Sequence, residues 1–388
     1  MLEIADRLLT ALDAGRTLAV GTVVRVDGSA PRTVGTSMAF DGTAVVGTVA
    51  GGCVEAAVVE VCERVLADGR ARTATYGVSD ETAFSVGLTC GGRLRVHVQR
   101  VAPGDPLVER LRAAVRGEAV ALVSVLPADD DAPGEPLGDV VRGVGPGRDV
   151  DPGQDAGPPA GAPEAPSWLA RQLDVEVAAR LASGRTGTAT LACDGAAGAP
   201  VDAVEVFVEV EVAPPRLVVV GAMDFSVALA AAGRLLGYRV TVCDPRPLFA
   251  TAERFPGVEV VLAWPTTYLR KTALDQRAAV CVLSHDARFD TEAVALALAS
   301  PAGYVGAMGS RRTHERRVAE LRARGVGEDA IARLRSPIGL DVGASTPQET
   351  AVAILAEVLA VRSGASGEPL RAASGPIHRT TAEALANA

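Results

Sequence analysis

The sequence predicts an α/β protein in which an N-terminal α/β domain with an internal duplication precedes a doubly wound parallel sheet. Two segments before residue 213 repeat one order of apolar strands and a helix, which indicates the duplication. After Pro214 and Pro215, short apolar strands alternate with longer helical stretches, as parallel sheets require. Hydrophobic residues make up 48% of the 388 residues, so the chain can form more than one core.

Charge and composition exclude several classes of function. The net charge of −9 gives no broad positive field for binding nucleic acid or an anionic membrane. No apolar run reaches the roughly 18 residues of a membrane span, and the first residues lack the apolar core of a secretion signal. We therefore expect a cytoplasmic protein. The six cysteines show no CxxC spacing, so neither a disulfide scaffold nor a structural zinc site is indicated.

The two halves of the N-terminal domain match element by element. Each half reads as a buried strand, a helix followed by a strand, and a final alternating strand. The matched pairs are 16–24 with 118–126, 55–76 with 169–191, and 94–103 with 204–214. We therefore expect copy one over residues 1–103 and a degenerate copy two over residues 104–213.

Two stretches do not read as packed elements. Residues 127–166 contain nine Pro, eight Gly and seven Asp, and such a composition buries too little apolar surface to offset the entropy of ordering. We expect a disordered insertion there. Residues 363–388 are small and polar, and we expect a flexible tail.

The third unit, residues 214–362, reads as alternating strands and helices. The predicted elements are Arg216–Val220, Phe225–Leu236, Arg239–Cys243, Ala278–Leu283, Thr291–Leu298, Tyr304–Ala307, His314–Arg324 and Pro347–Arg362. The last helix has a clear start, because Thr346 can cap it, Pro347 takes the first helical position and Glu349 completes a capping box. This alternation predicts a parallel sheet with helices on both faces.

Copy one carries a glycine-rich loop with a cysteine, GTVAGGCVE over residues 47–55. Gly51 and Gly52 let the backbone approach a ligand, and the positive end of a helix predicted to begin at Cys53 favours a thiolate there. Cys53 is therefore a candidate nucleophile, sulfur acceptor or metal ligand, with Glu55 as a nearby catalytic acid or base. A tight turn that buries a small cysteine is the structural alternative.

A second cysteine of copy one is also flanked by glycine. Cys90 begins the sequence CGG before the last strand, and we expect it on the same loop face as Cys53. Copy two lacks both cysteines and has APSW at 165–168 in place of the Gly-Gly-Cys loop, so we expect the site in copy one. His97 lies within the alternating strand and reads as a structural histidine.

The first strand of the third unit ends at Gly221, where a dinucleotide-binding turn requires Gly-x-Gly-x-x-Gly. Met223 and Ser226 take the later glycine positions, and a methionine obstructs the close approach of a pyrophosphate. Asp244 follows the second strand, 23 residues after Gly221, as a ribose-binding acid does. An acid at a strand end is also common without any ligand, so both interpretations stay open.

Three further loops follow strands and are expected along the carboxyl edge, where doubly wound sheets bind ligands. In the first, Ser284 precedes His285 and Asp286, a candidate pair for catalysis or for orienting a ligand; a capped strand-end turn is the alternative. The third covers residues 336–343.

The second of these loops predicts an anion site. Gly309 and Ser310 lead into Arg311 and Arg312 and then into a helix. Backbone amides, the helix dipole and guanidinium groups act together at such a place, which favours phosphate binding. A solvated, arginine-rich helix start is the structural alternative.

Taken together, these motifs resemble the xanthine dehydrogenase accessory factors, the XdhC/CoxI family of molybdenum-enzyme maturation proteins. The matching pieces are GSAPRTVGTSM, GTVAGGCVE, CGG, VTVCDPRPLFATAERFP, SHDARFD, YVGAMGSRRTHERR and SPIGLDVGASTPQETAVAILAE. The resemblance covers most of the chain apart from 127–166 and the tail, and it implies a Rossmann-like third unit. The chain departs from it at Met223 and Asp224, where many members carry Gly-His.

The resemblance implies an accessory chaperone that binds the molybdenum cofactor, a pterin dithiolene with a phosphate or nucleotide tail. It also implies support for sulfuration of this cofactor and insertion into a molybdenum hydroxylase apoenzyme, such as xanthine or carbon monoxide dehydrogenase. Cys53 would then lie closest to the metal, and the 309–312 loop would hold the phosphate. The residues expected to contact the cofactor are Gly51, Gly52, Cys53, Cys90, Gly221, Asp244, His285, Asp286, Gly309, Ser310, Arg311 and Arg312.

Other partners and functions stay open. A cysteine desulfurase as second partner and a homodimer are compatible with a maturation chaperone, whereas we expect no nucleic acid and no membrane partner. An NAD(P)-dependent oxidoreductase is the alternative that Asp244 favours and Met223 opposes. A scaffold that only binds the partner enzyme, with purely structural glycine loops, is the third.

Overall fold

A computed structural model describes residues 1–28, 32–77, 92–127, 167–194 and 200–372. These residues form two compact units, separated in sequence between Ala213 and Pro214. Within the described ranges, no helix combines the length and the apolarity that crossing a bilayer demands. Apart from Pro127, the predicted insertion at 127–166 lies outside the described residues, as does the predicted tail beyond residue 372.

The first unit contains a five-stranded antiparallel sheet, ordered β3-β2-β1-β5-β4. Its elements are a 3-10 helix at Leu2–Ile4, α1 (Ala5–Asp13), β1 (Leu18–Asp27), β2 (Ser37–Phe40), β3 (Val45–Gly47), α2 (Glu55–Asp68), β4 (Arg72–Gly77), β5 (Arg93–Val101) and α3 (Pro106–Val115). Side chains alternate along β1, so that Val20 packs with α1 and α3 whereas Val23 packs with α2. The sheet is therefore covered on both faces.

A second antiparallel sheet completes this unit. Its elements are β6 (Val120–Val125), α4 (Ser167–Ser183), β7 (Gly187–Asp194) and β8 (Pro200–Glu211), with the strand order β6-β8-β7. Helix α4 packs against it through Leu169, Leu173 and Val177. Within the unit, Val24 of the first sheet packs with Leu126 and Phe207 of the second part.

The two sheets share one arrangement. Strands β1-β5-β4 of the first sheet and β6-β8-β7 of the second occupy corresponding places along the chain and across the sheet. In each set the last strand lies in the middle, and a helix precedes the strand at the edge. This is the arrangement that an internal duplication predicts.

The second unit is a parallel sheet with helices on both faces. Its elements are β9 (Arg216–Val220), α5 (Asp224–Leu235), β10 (Arg239–Asp244), β11 (Glu259–Leu262), α6 (Pro265–Lys271), β12 (Ala279–Val282), α7 (Asp290–Ala299), β13 (Tyr304–Ala307), α8 (Arg311–Ala323), α9 (Glu328–Ala332), β14 (Leu334–Arg335) and α10 (Pro347–Ser363). The order is β11-β10-β9-β12-β13-β14, with all neighbours parallel. The predicted doubly wound parallel sheet is confirmed.

Alternating residues of the central strands divide the core of this unit into two layers. Leu217 and Val219 of β9 face α5 and α10, whereas Val218 and Val220 face the side of α7 and α8. Both layers consist mainly of apolar side chains. The order of strands reverses between β9 and β12, which is the place where sheets of this kind bind ligands.

Two predicted helix starts are wrong, each for a local reason. Helix α8 begins at Arg311 and not at His314, because the Ser310 hydroxyl accepts the amide of Thr313 and caps an earlier first turn. Helix α2 begins at Glu55 and not at Cys53, since Gly51 and Gly52 both have positive φ and Val54 is a non-helical N-cap.

Candidate functional site

The loop between β3 and α2 holds the predicted Gly-Gly-Cys sequence. Gly47, at its start, has a φ of 83°, and a Cβ there would lie 2.4 Å from the Ser37 carbonyl oxygen, so only glycine fits. Gly51 and Gly52 also have positive φ, of 77° and 116°, but a Cβ at either would meet nothing within 4 Å. The loop is therefore tightly packed at its start and open at the two glycines.

The carboxylate of Glu55, the first residue of α2, holds this loop from within the chain. Its two oxygens accept hydrogen bonds from the Thr48 hydroxyl and from the backbone amides of Ala50, Gly52 and Val54. The three amide distances lie between 2.8 and 3.1 Å. The Thr48 hydroxyl oxygen also accepts the Gly51 amide at 2.9 Å, so one side chain organises the whole turn.

These hydrogen bonds decide the charge of Glu55. Burial raises its pKa, but the hydrogen bonds from Thr48 and from the amides of Ala50 and Gly52 outweigh burial and lower the pKa from 4.5 to about 2. The group is therefore an anion at neutral pH, with its lone pairs occupied by donors. In the structure, Glu55, which the sequence suggests as a catalytic acid or base, is a fixed hydrogen-bond acceptor that shapes the loop.

Cys53 lies just before the N-cap of α2, beside the two exposed glycines. Among the four cysteines whose side chains are described, Cys53 alone is exposed. Burial raises the pKa of Cys62 and of Cys243 to about 12, and it raises the pKa of Cys281 further, so these thiols are protonated and inert at neutral pH. Cys53 is the cysteine of this set that a ligand can reach.

Other predicted features of copy one have different outcomes. Cys90 lies outside the described residues, so its expected place beside Cys53 stays a prediction. His97 is buried in β5, where burial lowers its pKa to about 4, and its Nδ1 lies 3.4 Å from the Thr73 hydroxyl. Within the described ranges, no group of three or more His, Cys, Asp or Glu side chains is placed to hold a metal ion.

In the second unit, all parallel strands direct their carboxyl ends to one edge, which collects the predicted loops. Gly221 follows β9 with a φ of 100°, and a Cβ there would lie 2.8 Å from the backbone nitrogen of Ser284. The missing side chain therefore allows the loops after β9 and β12 to touch. Met223 and Asp224 come next, and the Met223 side chain is 38% exposed.

Asp244, the predicted ribose-binding acid, is fully buried at the end of β10. One oxygen accepts the amide and the Nε of Arg246, both at 2.9 Å. The other accepts the amide of Ala222 at 2.7 Å and the Nη2 of Arg246 at 2.6 Å. Burial raises the pKa of Asp244, and the hydrogen bonds from Arg246 and Ala222 more than offset this and lower it.

The predicted His285–Asp286 pair is not formed. His285 is exposed, whereas the Asp286 carboxylate accepts the amide, the Nε and the Nη2 of Arg288. The hydrogen bonds from Arg288 lower the pKa of Asp286 to about 2. Asp286 therefore pairs with a guanidinium group, and a role of either residue toward a ligand stays a prediction.

The buried residues behind this loop were not predicted as functional. Ser284 donates to Asp290 at 2.5 Å, and Asp290 also accepts the amide of Asp286 at 3.0 Å. Arg317, buried in α8, donates to the Met308 carbonyl and to the Ser336 hydroxyl, both at 3.1 Å. Nothing in the sequence separates Arg317 from its many arginine neighbours, so only the fold reveals it.

The predicted anion loop leads directly into α8. Gly309 has a φ of 146°, and a Cβ there would lie 2.9 Å from Cγ2 of Thr313. The Ser310 hydroxyl accepts the Thr313 amide at 3.2 Å and caps the helix. Arg311 and Arg312 form its exposed first turn, where backbone amides lack partners within the helix. The predicted residues thus lie together at one positive helix end.

Comparison with known protein families identifies both units. Residues 217–358 match the XdhC Rossmann domain, and residues 11–77 match the XdhC and CoxI family. Together these two matches cover more than half of the chain.

Similar proteins span most of the chain. A Bacillus subtilis protein named as a probable xanthine dehydrogenase subunit is 24% identical over 88% of this chain and 92% of its own length. An Escherichia coli protein named molybdenum cofactor insertion chaperone PaoD is 25% identical over 91% of this chain and 86% of its own. The uncharacterized Escherichia coli protein YqeB is 36% identical over 45% of this chain, but the match covers only 32% of YqeB.

A solved structure shares the fold. The crystal structure of a xanthine dehydrogenase from Bacillus halodurans aligns with a TM-score of 0.55 and 20% identity. The alignment covers 93% of this chain and 95% of that protein.

Proposed function

Because the chain belongs to the XdhC and CoxI family, we propose that it is an accessory chaperone that carries the molybdenum cofactor to a molybdenum hydroxylase. A similar protein named as a molybdenum cofactor insertion chaperone, matched over 91% of this chain, supports the nature of the cargo. A relative named as a probable xanthine dehydrogenase subunit supports the class of partner. The cargo has a sulfur-bound metal at one end and a phosphate at the other.

One observation carries the proposal, namely the exposed Cys53 thiol on the loop that Glu55 holds. Thiolates are soft ligands and suit a metal already bound by sulfur. Because Glu55 accepts four hydrogen bonds from this loop, the loop is shaped before the cargo arrives, and binding does not have to order it. The open space at Gly51 and Gly52 admits a ligand close to the backbone.

The start of α8, in the second unit, is a separate candidate site for a phosphate group. Arg311 and Arg312 are exposed, and they add full positive charges to the helix dipole. Gly309 and Ser310 complete a turn of the kind that receives phosphate groups. These four residues are our candidate phosphate site of the second unit.

We further infer that Cys53 accepts sulfur during sulfuration of the cargo. The Cys53 thiolate attacks the outer sulfur of a persulfide on a cysteine desulfurase. A new S–S bond forms on Cys53, the desulfurase thiolate leaves, and no oxidant is consumed. After incubation with a desulfurase and cysteine, wild type should gain the mass of one sulfur atom and Cys53→Ala should not. Equal gains by both proteins would overturn this step.

Cargo binding is tested on the full chain, purified without oxygen from a host that makes the cofactor. Molybdenum and released pterin are measured per chain for wild type, Cys53→Ala and the double variant Arg311→Gln/Arg312→Gln. We expect near-stoichiometric pterin in wild type and a loss of at least about tenfold in affinity for either variant, since each removes a soft ligand or two charge-assisted contacts.

Matched controls separate these contacts from general effects. Glu60→Gln changes an exposed residue of α2, and Arg316→Gln/Arg324→Gln removes two exposed charges, one within α8 and one at its C-cap, away from the start of the helix. Both controls should retain the cargo. If the purified wild-type protein contains no pterin, the chaperone proposal is refuted. Full retention of pterin by Cys53→Ala would move the cargo site to the edge of the parallel sheet. Full activation of the partner by Cys53→Ala would favour the scaffold function.

The oxidoreductase function is tested by titration with NADH and NADPH. We expect no binding at micromolar concentrations, because the Asp244 carboxylate is occupied by Arg246 and Ala222. Binding in that range would replace the chaperone proposal.

A further inference from the structure

The turn after β9 lies at the carboxyl edge of the parallel sheet, between Val220 and α5. A nucleotide tail on the cargo would bind at this turn, where the strand order reverses. We propose that Met223, Asp224 and the Asp244–Arg246 pair close the turn to a nucleoside diphosphate, so that the cargo is the nucleotide-free pterin with one terminal phosphate. This inference rests on the proposed function and selects between the two forms of its cargo.

The Asp244 carboxylate, which would accept hydrogen bonds from a ribose, is occupied by Arg246. A carboxylate offers about four acceptor positions, and Asp244 already receives four hydrogen bonds, three from Arg246 and one from the Ala222 amide. The Arg246 guanidinium also lies 4.6 Å from the centre of the Phe249 ring. A ribose would have to displace a guanidinium group from a buried carboxylate, which leaves a charge without its partner.

The approach of a diphosphate is blocked by Met223. This residue takes the position where such turns have a glycine, so that the pyrophosphate can reach the backbone. Its sulfur lies 3.6 Å from Nη2 of Arg246, so the side chain extends from the loop after β9 to the loop after β10. The methionine therefore covers the backbone that a diphosphate would need.

The charge at the start of α5 acts in the same direction. Asp224 is the first residue of this helix, and its side chain is 86% exposed. Its carboxylate is held 2.8 Å from Arg254, whose guanidinium also donates to the Ala222 carbonyl at 2.8 Å. The positive end of the helix dipole thus already has a carboxylate of the protein beside it, and Arg254 is paired with that carboxylate rather than with a second anion.

The start of α8 differs in each of these respects. Its first turn carries two exposed arginines and no acid, and a serine caps it. One phosphate monoester has the size and charge for that turn, whereas a nucleotide tail needs a second turn at the sheet edge. The two helix ends therefore favour a cargo with one phosphate and no nucleotide.

Binding of cytidine 5′-diphosphate, measured by calorimetry on the full chain, tests the closed turn without any cargo. We expect no binding to wild type below about 1 mM and a gain of at least about tenfold in Met223→Gly/Asp224→Asn, which removes the methionine side chain and the carboxylate that pairs with Arg254. Micromolar binding to wild type would overturn the proposal. A double variant that binds no better than wild type would do the same.

A control variant removes the same kinds of atoms elsewhere on this edge. Leu248 is 86% exposed after β10, and Asp341 is exposed after β14, so Leu248→Gly/Asp341→Asn changes one apolar chain and one charge without touching the turn. Its affinity for the diphosphate should equal that of wild type. An equal gain in this control would show a general charge effect and overturn the assignment to the turn.

The bound cargo gives the second readout. Pterin and nucleotide released from the purified chain are quantified after expression in a host that makes both forms of the cofactor. We expect pterin with less than about one nucleotide per ten pterins, as a tenfold preference requires. About one nucleotide per pterin would refute the exclusion and leave the chaperone proposal standing. No pterin, together with a closed turn in the calorimetry, would refute the chaperone proposal and leave the exclusion standing.

Discussion

Replacing Glu55 by glutamine should loosen the Gly-Gly-Cys loop without altering the sheet beneath it. Glutamine keeps the length of the side chain, but it loses the charge, and one of its terminal atoms becomes a donor that faces other donors. Four hydrogen bonds from the loop then lose a charged acceptor. The hydroxyl of Thr48 and the amides of Ala50, Gly52 and Val54 are the groups affected.

The size of the effect follows from the pKa of Glu55. A decrease from 4.5 to about 2 corresponds to about 3 kcal/mol of preference for the charged form. The side chain is partly exposed, so solvent screening reduces this to about 1–2 kcal/mol. Because the folded pKa is lowered, the stabilisation is fully present above pH 4.5 and is lost as pH falls toward 2.

Hydrogen exchange read by mass spectrometry is the suitable assay, because the chain has two compact units and a single unfolding free energy is poorly defined. In Glu55→Gln, the amides of residues 50–54 should exchange about 5- to 30-fold faster at pH 7, the factor that corresponds to 1–2 kcal/mol. At pH 3 the difference should shrink to about half or less. Glu60→Gln, on the exposed side of α2, should change nothing.

The reasoning would be refuted by one clear result. If the amides of Ala50, Gly52 and Val54 keep their protection at pH 7 in Glu55→Gln, the carboxylate does not hold the loop. A general loss of protection throughout the first unit would also contradict it, because the prediction concerns the loop alone.

Three further predictions concern stability. Burial lowers the pKa of His97 to about 4, so between pH 6.5 and 4 the unfolded chain binds a proton that the native unit does not. The free energy of unfolding therefore decreases as the pH is lowered through this range. Between pH 7 and 4.5, the unfolding free energy of the first unit in urea should decrease by about 2–3 kcal/mol less in His97→Gln than in wild type. An unchanged dependence of this free energy on pH would contradict the prediction. Gly47→Ala should destabilise the first unit by about 2 kcal/mol more than Gly51→Ala and so give the lower Tm, because only the Cβ at Gly47 meets the Ser37 carbonyl; equal Tm values would count against that contact. Thr346→Ala should cost about 1 kcal/mol through the lost cap of α10, seen as faster exchange in its first turn, and unaltered exchange there would show that the cap contributes nothing.

Local signals in the sequence predicted much of the fold. Strands β9 and β13 have the predicted bounds, because continuous apolar runs between turn residues mark strands that are buried on both faces. The capping box at Thr346 and Glu349 forms as predicted, since both partners lie within one turn. Strand β11 was not predicted, because it is a short and half-exposed strand at the edge of the sheet. Such strands lack the apolar run that marks a buried one.

The roles of the site residues depended on long-range geometry. The sequence places Glu55 beside Cys53, which equally suits a proton carrier and a structural acceptor, and only the hydrogen bonds from the loop distinguish them. The position of Asp244 suits a ribose, but its carboxylate is occupied by Arg246, two residues further along. A pattern of residue types gives the position of a carboxylate and does not give its partners.

The Glu357 carboxylate ties the last loop of the sheet edge to α10. Its Oε2 accepts both the buried Tyr304 hydroxyl, at 2.6 Å, and the Gly339 amide, at 2.8 Å. In mechanical terms, this carboxylate couples the loop around Gly339 to helix α10 and to β13. Displacing the loop must either carry Glu357 along or break the bond between its carboxylate and the Gly339 amide.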